Sequence, residues 1–525
     1  MAPLPFPRRF RDHALAAGWA IALGVSGCAG GPDSLLPAGA VPAAWSQAVA
    51  GEPHPAEDLS RWWRRLDDPL LSDLVRQAMA NSPDLQGSAA RLDEARARRA
   101  VAGATLLPAV TATPSASRTQ ASRATGGSGA RTLYSAGFDA RWEADLFGGL
   151  RGGAAAAQAD LEASQASLHG AQVSLAAEVA RNYVELRTTQ SRLTIVRANL
   201  ASQVETVELT EWRTQAGLAT VVDVDQARTR AEQTRAQLPG LESALAAARH
   251  RLAILLGKPP GSLDRLLAEP GAIPVVPEAV GVAIPADTLR QRPDVRVAER
   301  QVAAAAARRG VAQANRYPTL TLSGSLGLQA LTVGGLSGGE ATTRSLLAQV
   351  AAPIFDAGRL RQEVRIQDAL LDQARAAYEA AVLTALEEVE NGLVALANGR
   401  HHRQALQDAA AAAARAATLT RSQYAAGLVD FQTVLDTQTS RLAVDDALAT
   451  SEGEVATALI QLYKALGGGW DEAGGEAFGP TPSQVGEATP PEETTRTAAA
   501  GAREVGSAGG EAVDAEETMQ PEARP

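Results

Sequence analysis

The 525-residue chain contains few cysteine, lysine and aromatic residues. The low cysteine and aromatic content excludes several kinds of protein. Its single cysteine, Cys28, allows neither an intrachain disulfide nor a CxxC metal or redox site. Aromatic residues make up only 4% of the chain, which argues against one thick globular core. The abundance of alanine with leucine, arginine and glutamate instead favours long, closely packed helices.

There is also no surplus of positive charge. The net charge is −10, and residues 471–525, with 12 acidic residues and 3 arginines, contribute −9 of it. The remainder is nearly neutral, which excludes the basic surface of a nucleic-acid-binding protein. Residues 471–525 are rich in glycine, proline, alanine, threonine and glutamate, so we predict a disordered acidic tail.

Catalytic patterns are missing as well. The chain has no GxxxxGK[ST] phosphate loop and no Ser-His-Asp grouping with a supporting motif. The adjacent pair His401-His402 would face different directions on a helix, so it is a poor metal site. We therefore predict that the protein is not an enzyme and that it binds no metal or cofactor.

The N-terminus has the organisation of a secretion signal, predicted at residues 1–27. Three early arginines precede an apolar run at 14–25 that is too short to span a bilayer as a helix. The run ends in VSGC at Cys28, which resembles a bacterial lipobox and implies S-diacylglycerol and N-palmitoyl groups on that cysteine. The next residue, Ala29, is not aspartate, which in lipoproteins implies the outer membrane. Residues 28–60 are predicted to be a lipid-anchored tether.

The rest of the chain contains two copies of one unit, offset by 210 residues. We predict repeat 1 at residues 61–257, a connecting equatorial segment at 258–285 and repeat 2 at 286–470. The matching positions include SPDL with RPDV, at 82 and 292, and AGL with AGL, at 216 and 426.

Each repeat is predicted to open with one helix, at about 68–104 and 285–315, and to continue into two alternating strands. In the clearest strand, leucines at 320, 322, 326 and 328 share one face. Such a face fits a soluble sheet or a membrane barrel, and the export signal favours the barrel. Closing a barrel takes about eight strands or more. Four strands per chain therefore require several chains.

After each pair of strands the sequence predicts a long helical hairpin. Its first arm spans about 153–216 or 360–426, and its second arm about 218–256 or 428–466. The longer arms would measure on the order of 100 Å. Gly217 and Gly427 mark the hairpin turns. Helices of this length indicate coiled-coil packing in an elongated tube.

Taken together, these features resemble the TolC-type outer-membrane efflux family, specifically the OprM- or NodT-like lipoproteins of resistance–nodulation–division (RND) systems. The resemblance covers about 62–470 and includes WEADLFG at 142, RPDV at 292, GRL at 358, YAAG at 424 and ALGGGW at 465. It implies a homotrimer whose twelve strands close one outer-membrane β-barrel above a periplasmic α-barrel. The implied function is passive export of drugs or other toxic small molecules, with a periplasmic membrane-fusion adaptor and an inner-membrane RND pump as partners.

The resemblance also implies a periplasmic gate. In the family an aspartate twelve residues after the hairpin tyrosine lines the closed end, and counting from Tyr424 this residue is Asp436. Asp223 and Asp225 occupy the matching stretch of repeat 1. Three-fold symmetry would turn each aspartate into a ring of carboxylates that favours cations.

One position departs from the family pattern. Many relatives carry a basic residue three positions after the gate aspartate, where this chain has Thr439, and Arg228 and Arg441 are the candidate replacements. Two other functions stay open at this point. The same fold serves type I protein secretion, and a periplasmic coiled-coil scaffold would need only the anchor and the helices.

Overall fold

The computed structural model describes residues 42–46, 59–122, 124, 129–278, 280–281 and 285–470. The predicted signal, the lipid site Cys28, most of the tether and the acidic tail lie outside the described residues. The described part is mainly helical with a small strand part, as predicted. Within these ranges, no helix combines the length and the apolar character needed to cross a membrane.

The opening helix of each repeat is divided, where the sequence predicted one helix. Helices α1 (Pro69–Asn81) and α2 (Pro83–Ala104) follow a 3-10 turn at Trp62–Leu66, and their counterparts are α6 (Pro285–Gln291) and α7 (Pro293–Ala314). The residues before the two prolines, Ser82 and Arg292, have extended backbone, with ψ of 125° and 122°. A proline disfavours helical geometry in the residue before it, which explains both breaks.

The strands form one antiparallel sheet. They are β1 (Ala109–Ala112), β2 (Ser115–Gln120), β3 (Ala130–Ala144), β4 (Thr319–Ala330) and β5 (Thr342–Ala351). The predicted first strand is split into β1 and β2 at Pro114, which has no N–H to donate, and both parts pair with β3. The five segments therefore occupy four strand positions.

The two repeats are joined in the sheet by pairing of β3 with β4. Phe138 lies opposite Leu326 and Trp142 opposite Leu322, so the apolar faces of the two repeats are continuous. This face is open, since Leu346 is 85% and Phe138 61% exposed. In the part of the chain that the structure describes, the sheet has two unpaired edges, at β1/β2 and at β5.

The long helices follow the sheet. They are α3 (Gly149–Gln215) and α8 (Arg359–Ala425), each of 67 residues and thus on the order of 100 Å long. The second arm of repeat 2 is the continuous α9 (Phe431–Ala465). In repeat 1 the predicted single arm is divided into α4 (Val221–Arg235) and α5 (Leu238–Leu255). Pro239 cannot donate to the carbonyl four residues earlier, which breaks the helix there.

The largest group of buried apolar residues, here the central cluster, lies where the repeats and the connecting segment meet. It contains Trp62, Tyr183, Tyr463 and, from the connecting segment, Leu263 and Leu267. Trp62 is fully buried, with its ring centre 5.4 Å from that of Tyr463.

Arg292 of the RPDV motif is buried between α7, α8 and the end of α9. Its Nη1 donates to the carbonyl oxygen of Ala465 at 2.7 Å, and its Nη2 donates at 2.6 Å to carboxylates of Asp294 and Glu388. Burial lowers the pKa of Arg292, but the bonds to the two carboxylates outweigh it and leave the pKa raised. The guanidinium is therefore charged, and it joins the start of α7 to the last turn of α9.

Candidate functional site

The two helical hairpins turn in the same way at Gly217 and Gly427. Both glycines have positive φ, 72° and 75°, a conformation that only glycine adopts readily. The next amide reaches back to the last helical turn: Leu218 donates to the Arg213 carbonyl and Leu428 to the Gln423 carbonyl, both at 2.8 Å. This is the Schellman ending of a helix, and it places α4 and α9 beside α3 and α8.

Both return helices begin with a side-chain cap, which in α4 is reciprocal. In α4 the hydroxyl of Thr220 accepts from the Asp223 amide, while the Asp223 carboxylate accepts from the Thr220 amide at 2.8 Å. In α9 the residue types are exchanged, because Asp430 accepts from the amide of Thr433 at 2.8 Å. These carboxylates satisfy helix N-terminal amides that would otherwise lack partners. Asp223, which the sequence predicted as a gate residue, therefore also caps the N-terminus of α4.

The Asp430 cap is expected to make the end of the second hairpin sensitive to acid. Side-chain and backbone hydrogen bonds from Thr433 hold the pKa of Asp430 below its usual value. A group with a lowered folded pKa stabilises the fold above its unfolded pKa, and this contribution is lost as pH falls through the folded pKa. Hydrogen exchange in the first turn of α9, corrected for intrinsic rates, should therefore rise as pH falls below about 4, the ordinary pKa of an aspartate.

The matched control for this prediction is Asp430→Asn. Asparagine keeps an oxygen that accepts at the N-cap but does not titrate. Protection of the first turn in this variant should change little over the same pH range. An equal loss of protection in both proteins would mean that another group causes the acid sensitivity.

Tyr424 lies at the centre of a small cluster where the two hairpins meet. It is buried, its ring centre is 5.4 Å from that of Phe431, and the Arg213 guanidinium from repeat 1 lies 4.5 Å from its ring centre. Burial and the nearby Asp223 carboxylate raise the pKa of Tyr424, while Arg213 and Thr210 oppose this shift. The tyrosine is therefore an uncharged contact between the repeats.

The other two predicted gate residues are exposed to solvent. Asp225 lines a groove of about 450 Å³ between α4 and α9 together with Gln432 and Leu435. Asp436 lies one turn beyond Gln432 on α9. Its Oδ1 accepts a hydrogen bond from the side-chain amide (Nε2) of Gln432 at 2.9 Å. Gln432 therefore connects the Asp436 carboxylate to the groove that contains Asp225.

The candidate basic residues contact other carboxylates within this chain. Arg228 donates to Glu211 at 2.6 Å, and Arg441 lies 3.4 Å from Asp445 on its own helix. The Thr439 hydroxyl donates to the Leu435 carbonyl. In this protomer, none of these three residues is bonded to a predicted gate aspartate. Sequence reasoning missed ion pairs between the hairpins, such as Arg421 with Glu205 at 2.8 Å and Arg192 with Asp446 at 2.7 Å, because the partners are 216 and 254 residues apart.

The sequence is similar to a family of known proteins over most of its length. The family model described as outer membrane efflux protein matches residues 74–258 and again 284–468, the same offset of 210 residues. The pyoverdine export outer membrane protein OpmQ of Pseudomonas aeruginosa is 34% identical over 455 residues, which are 84% of this chain and 94% of OpmQ. Nodulation protein T of Rhizobium leguminosarum bv. trifolii is 32% identical over 85% of this chain and 96% of its own length.

A solved structure agrees with these relatives. The outer-membrane channel OprN superposes with a TM-score of 0.79 at 35% identity, covering 82% of this chain and 98% of OprN. Paired long helical hairpins on a small antiparallel sheet thus define the protein as an outer-membrane channel of the TolC type. The chain belongs to the outer membrane efflux protein family, and its location is the outer membrane.

Proposed function

We propose that the protein is the outer-membrane duct of a tripartite RND efflux pump, through which drugs or other toxic small molecules leave passively. The observation that carries this proposal is the joining of an exposed apolar sheet to helices of 67 residues, which suits a chain that lies partly in a membrane and extends far from it. Several relatives support an export role, since their names describe pyoverdine export, antibiotic efflux and toluene efflux.

The working unit is a homotrimer in this proposal. Each chain contributes four strand positions and leaves two sheet edges unpaired. Unpaired edges cannot remain exposed in lipid, because their amide and carbonyl groups would have no partners there. Three chains joined edge to edge supply twelve strands, which is enough to close a barrel. The helices then form the periplasmic α-barrel, and a lipid on Cys28 anchors each chain.

The proposed partners are a periplasmic membrane-fusion adaptor and an inner-membrane RND pump, which supplies the energy. The genes beside this one test the assignment. An adaptor gene and a large pump gene there would support it, whereas an ATP-binding exporter beside a secreted protein would favour type I secretion. Deleting the adjacent pump gene should abolish export of the same compounds as deleting this gene.

Asp436, Asp223, Asp225 and Tyr424 form the proposed gate at the hairpin ends. In the trimer, Asp436 would supply three carboxylates to one constriction. Removing them with Asp436→Ala is expected to raise open probability in planar bilayers, or to lower cation selectivity by roughly tenfold, since such a ring concentrates cations locally. Single-channel conductance in asymmetric salt measures both quantities.

Glu454→Ala is the matched control, because Glu454 is an exposed acid on the same helix, five turns from Asp436. It should leave both quantities unchanged. If Asp436→Ala behaves like the control, Asp436 has no part in gating. Wild-type protein that conducts no ions and runs as a monomer in detergent would contradict the duct itself.

A further inference from the structure

Arginines lie on both faces of the sheet, and their distribution on the apolar face is uneven. Arg131 and Arg141 share the polar face with Ser135, Asp139 and Glu143. Arg118 and Arg344 lie on the other face, since Arg118 is opposite Thr132 and Arg344 is opposite Leu326. Both are exposed, and within the described ranges neither has an ion pair or hydrogen bond.

Both arginines lie toward the same end of that face. Arg118 is near the end of β2 and Arg344 near the start of β5, so both adjoin the loops that connect the strands of each repeat. The end of the face next to the long helices instead presents Val110, Leu320 and Val350. Among the described residues, the cations that border the apolar face therefore lie at its loop end.

An arginine on a lipid-facing surface restricts where that surface can lie. An arginine at the middle of a bilayer is strongly unfavourable, whereas near either interface its cost is small. The loop ends of β2 and β5 therefore belong at the level of lipid headgroups. A guanidinium there matches the geometry of a phosphate, to which it can donate two parallel hydrogen bonds.

We propose that Arg118 and Arg344 bind the phosphate groups of outer-leaflet lipid, whose acyl chains cover the adjacent apolar face. This inference rests on the proposed trimer, in which the edge β5 of one chain meets the edge β1/β2 of its neighbour. Arg344 of one chain and Arg118 of the next then flank the same seam. Two cations beside one seam favour a lipid that carries more than one phosphate, because its anions offset their mutual repulsion.

The test uses the full-length trimer in detergent, with diphosphorylated lipid A as the probe and native mass spectrometry as the readout. The variant Arg118→Gln/Arg344→Gln should bind this lipid roughly 30-fold more weakly, the loss expected for two surface arginines. The control Arg131→Gln/Arg141→Gln changes the same number of charges on the opposite face and should bind as the wild type does. Phosphatidylcholine has a single phosphate that its own choline cation neutralises, so its binding should differ far less between the wild type and the variant than the binding of lipid A does.

Equal binding of diphosphorylated lipid A to the variant and the wild type would overturn the inference. Aggregation of the variant with unchanged lipid binding would do so too, because it would assign both arginines to protecting the sheet edges. Conductance of the same preparations separates this result from the duct itself. A variant that conducts normally but has lost lipid A supports the inference, whereas a wild-type protein without conductance contradicts the proposed duct.

Discussion

Replacing Trp62 with alanine is expected to lower the free energy of unfolding by about 3–5 kcal/mol, the usual cost of truncating a buried aromatic side chain. Trp62 is fully buried in the central cluster and contacts the rings of Trp63 and Tyr463. Because this cluster joins both repeats to the connecting segment, a cavity here weakens contacts among elements distant in sequence. Chemical denaturation in detergent, at constant protein concentration, measures the change.

Trp212 provides the matched control, since the same residue type is 67% exposed near the hairpin turn. Trp212→Ala should alter the free energy of unfolding by no more than about 0.5 kcal/mol. Trp62→Phe should cost much less than Trp62→Ala, because phenylalanine keeps most of the buried ring volume and, among the described residues, the Trp62 Nε1 has no hydrogen-bond partner to lose. Similar midpoints for Trp62→Ala and Trp212→Ala would show that the central cluster does not set the stability.

The second large effect is expected at Arg292. Arg292→Met keeps much of the buried volume but removes the hydrogen bonds to Ala465, Asp294 and Glu388. Hydrogen bonds to charged groups contribute about 1.5–3 kcal/mol each, although such contributions do not add. Both carboxylates are about half exposed and can be rehydrated, so we expect a net loss of about 2–3 kcal/mol.

Two further variants test the cause of that loss. Arg290→Met removes an equal charge from a position that is 79% exposed, and it should have almost no effect. Arg292→Lys keeps the charge but cannot reach three acceptors with the planar geometry of a guanidinium, so its stability should be intermediate. If the Arg292→Lys protein were as stable as the wild type, the positive charge alone would account for the role of Arg292, and the guanidinium geometry would not matter.

The sequence could predict features that depend on local pattern. Alternation of apolar residues placed the leucines at 320, 322, 326 and 328 on one strand face, and the AGL segments placed the turns at Gly217 and Gly427. It could not predict the pairing of β3 with β4, because this register depends on contacts between residues almost 200 positions apart. For the same reason the sequence could not reveal that Arg292 donates to Glu388 and to the Ala465 carbonyl, which lie 96 and 173 residues away.

Prolines mark helix breaks in this sequence, but the helical pattern predicted continuous helices across three of them. The predicted ends of the two opening helices, near 104 and 315, agree with the structure, while the breaks at Pro83, Pro293 and Pro239 fall within helices that the pattern predicted as continuous. At the candidate site, Thr220 and Asp223 are spaced as in a helix-capping box, which is a local signal. Sequence reasoning considered Asp223 only as a gate residue and so missed the bonds that its carboxylate makes.

The break before Pro239 makes the two hairpins mechanically unequal. In repeat 2 the return arm α9 keeps an unbroken hydrogen-bond ladder over 35 residues, whereas in repeat 1 the ladder is interrupted between Arg235 and Leu238. A helix bends most easily where its ladder is interrupted. A sideways force on the hairpin ends will therefore bend the return arm of the first hairpin, α4 and α5, before it bends α9 of the second.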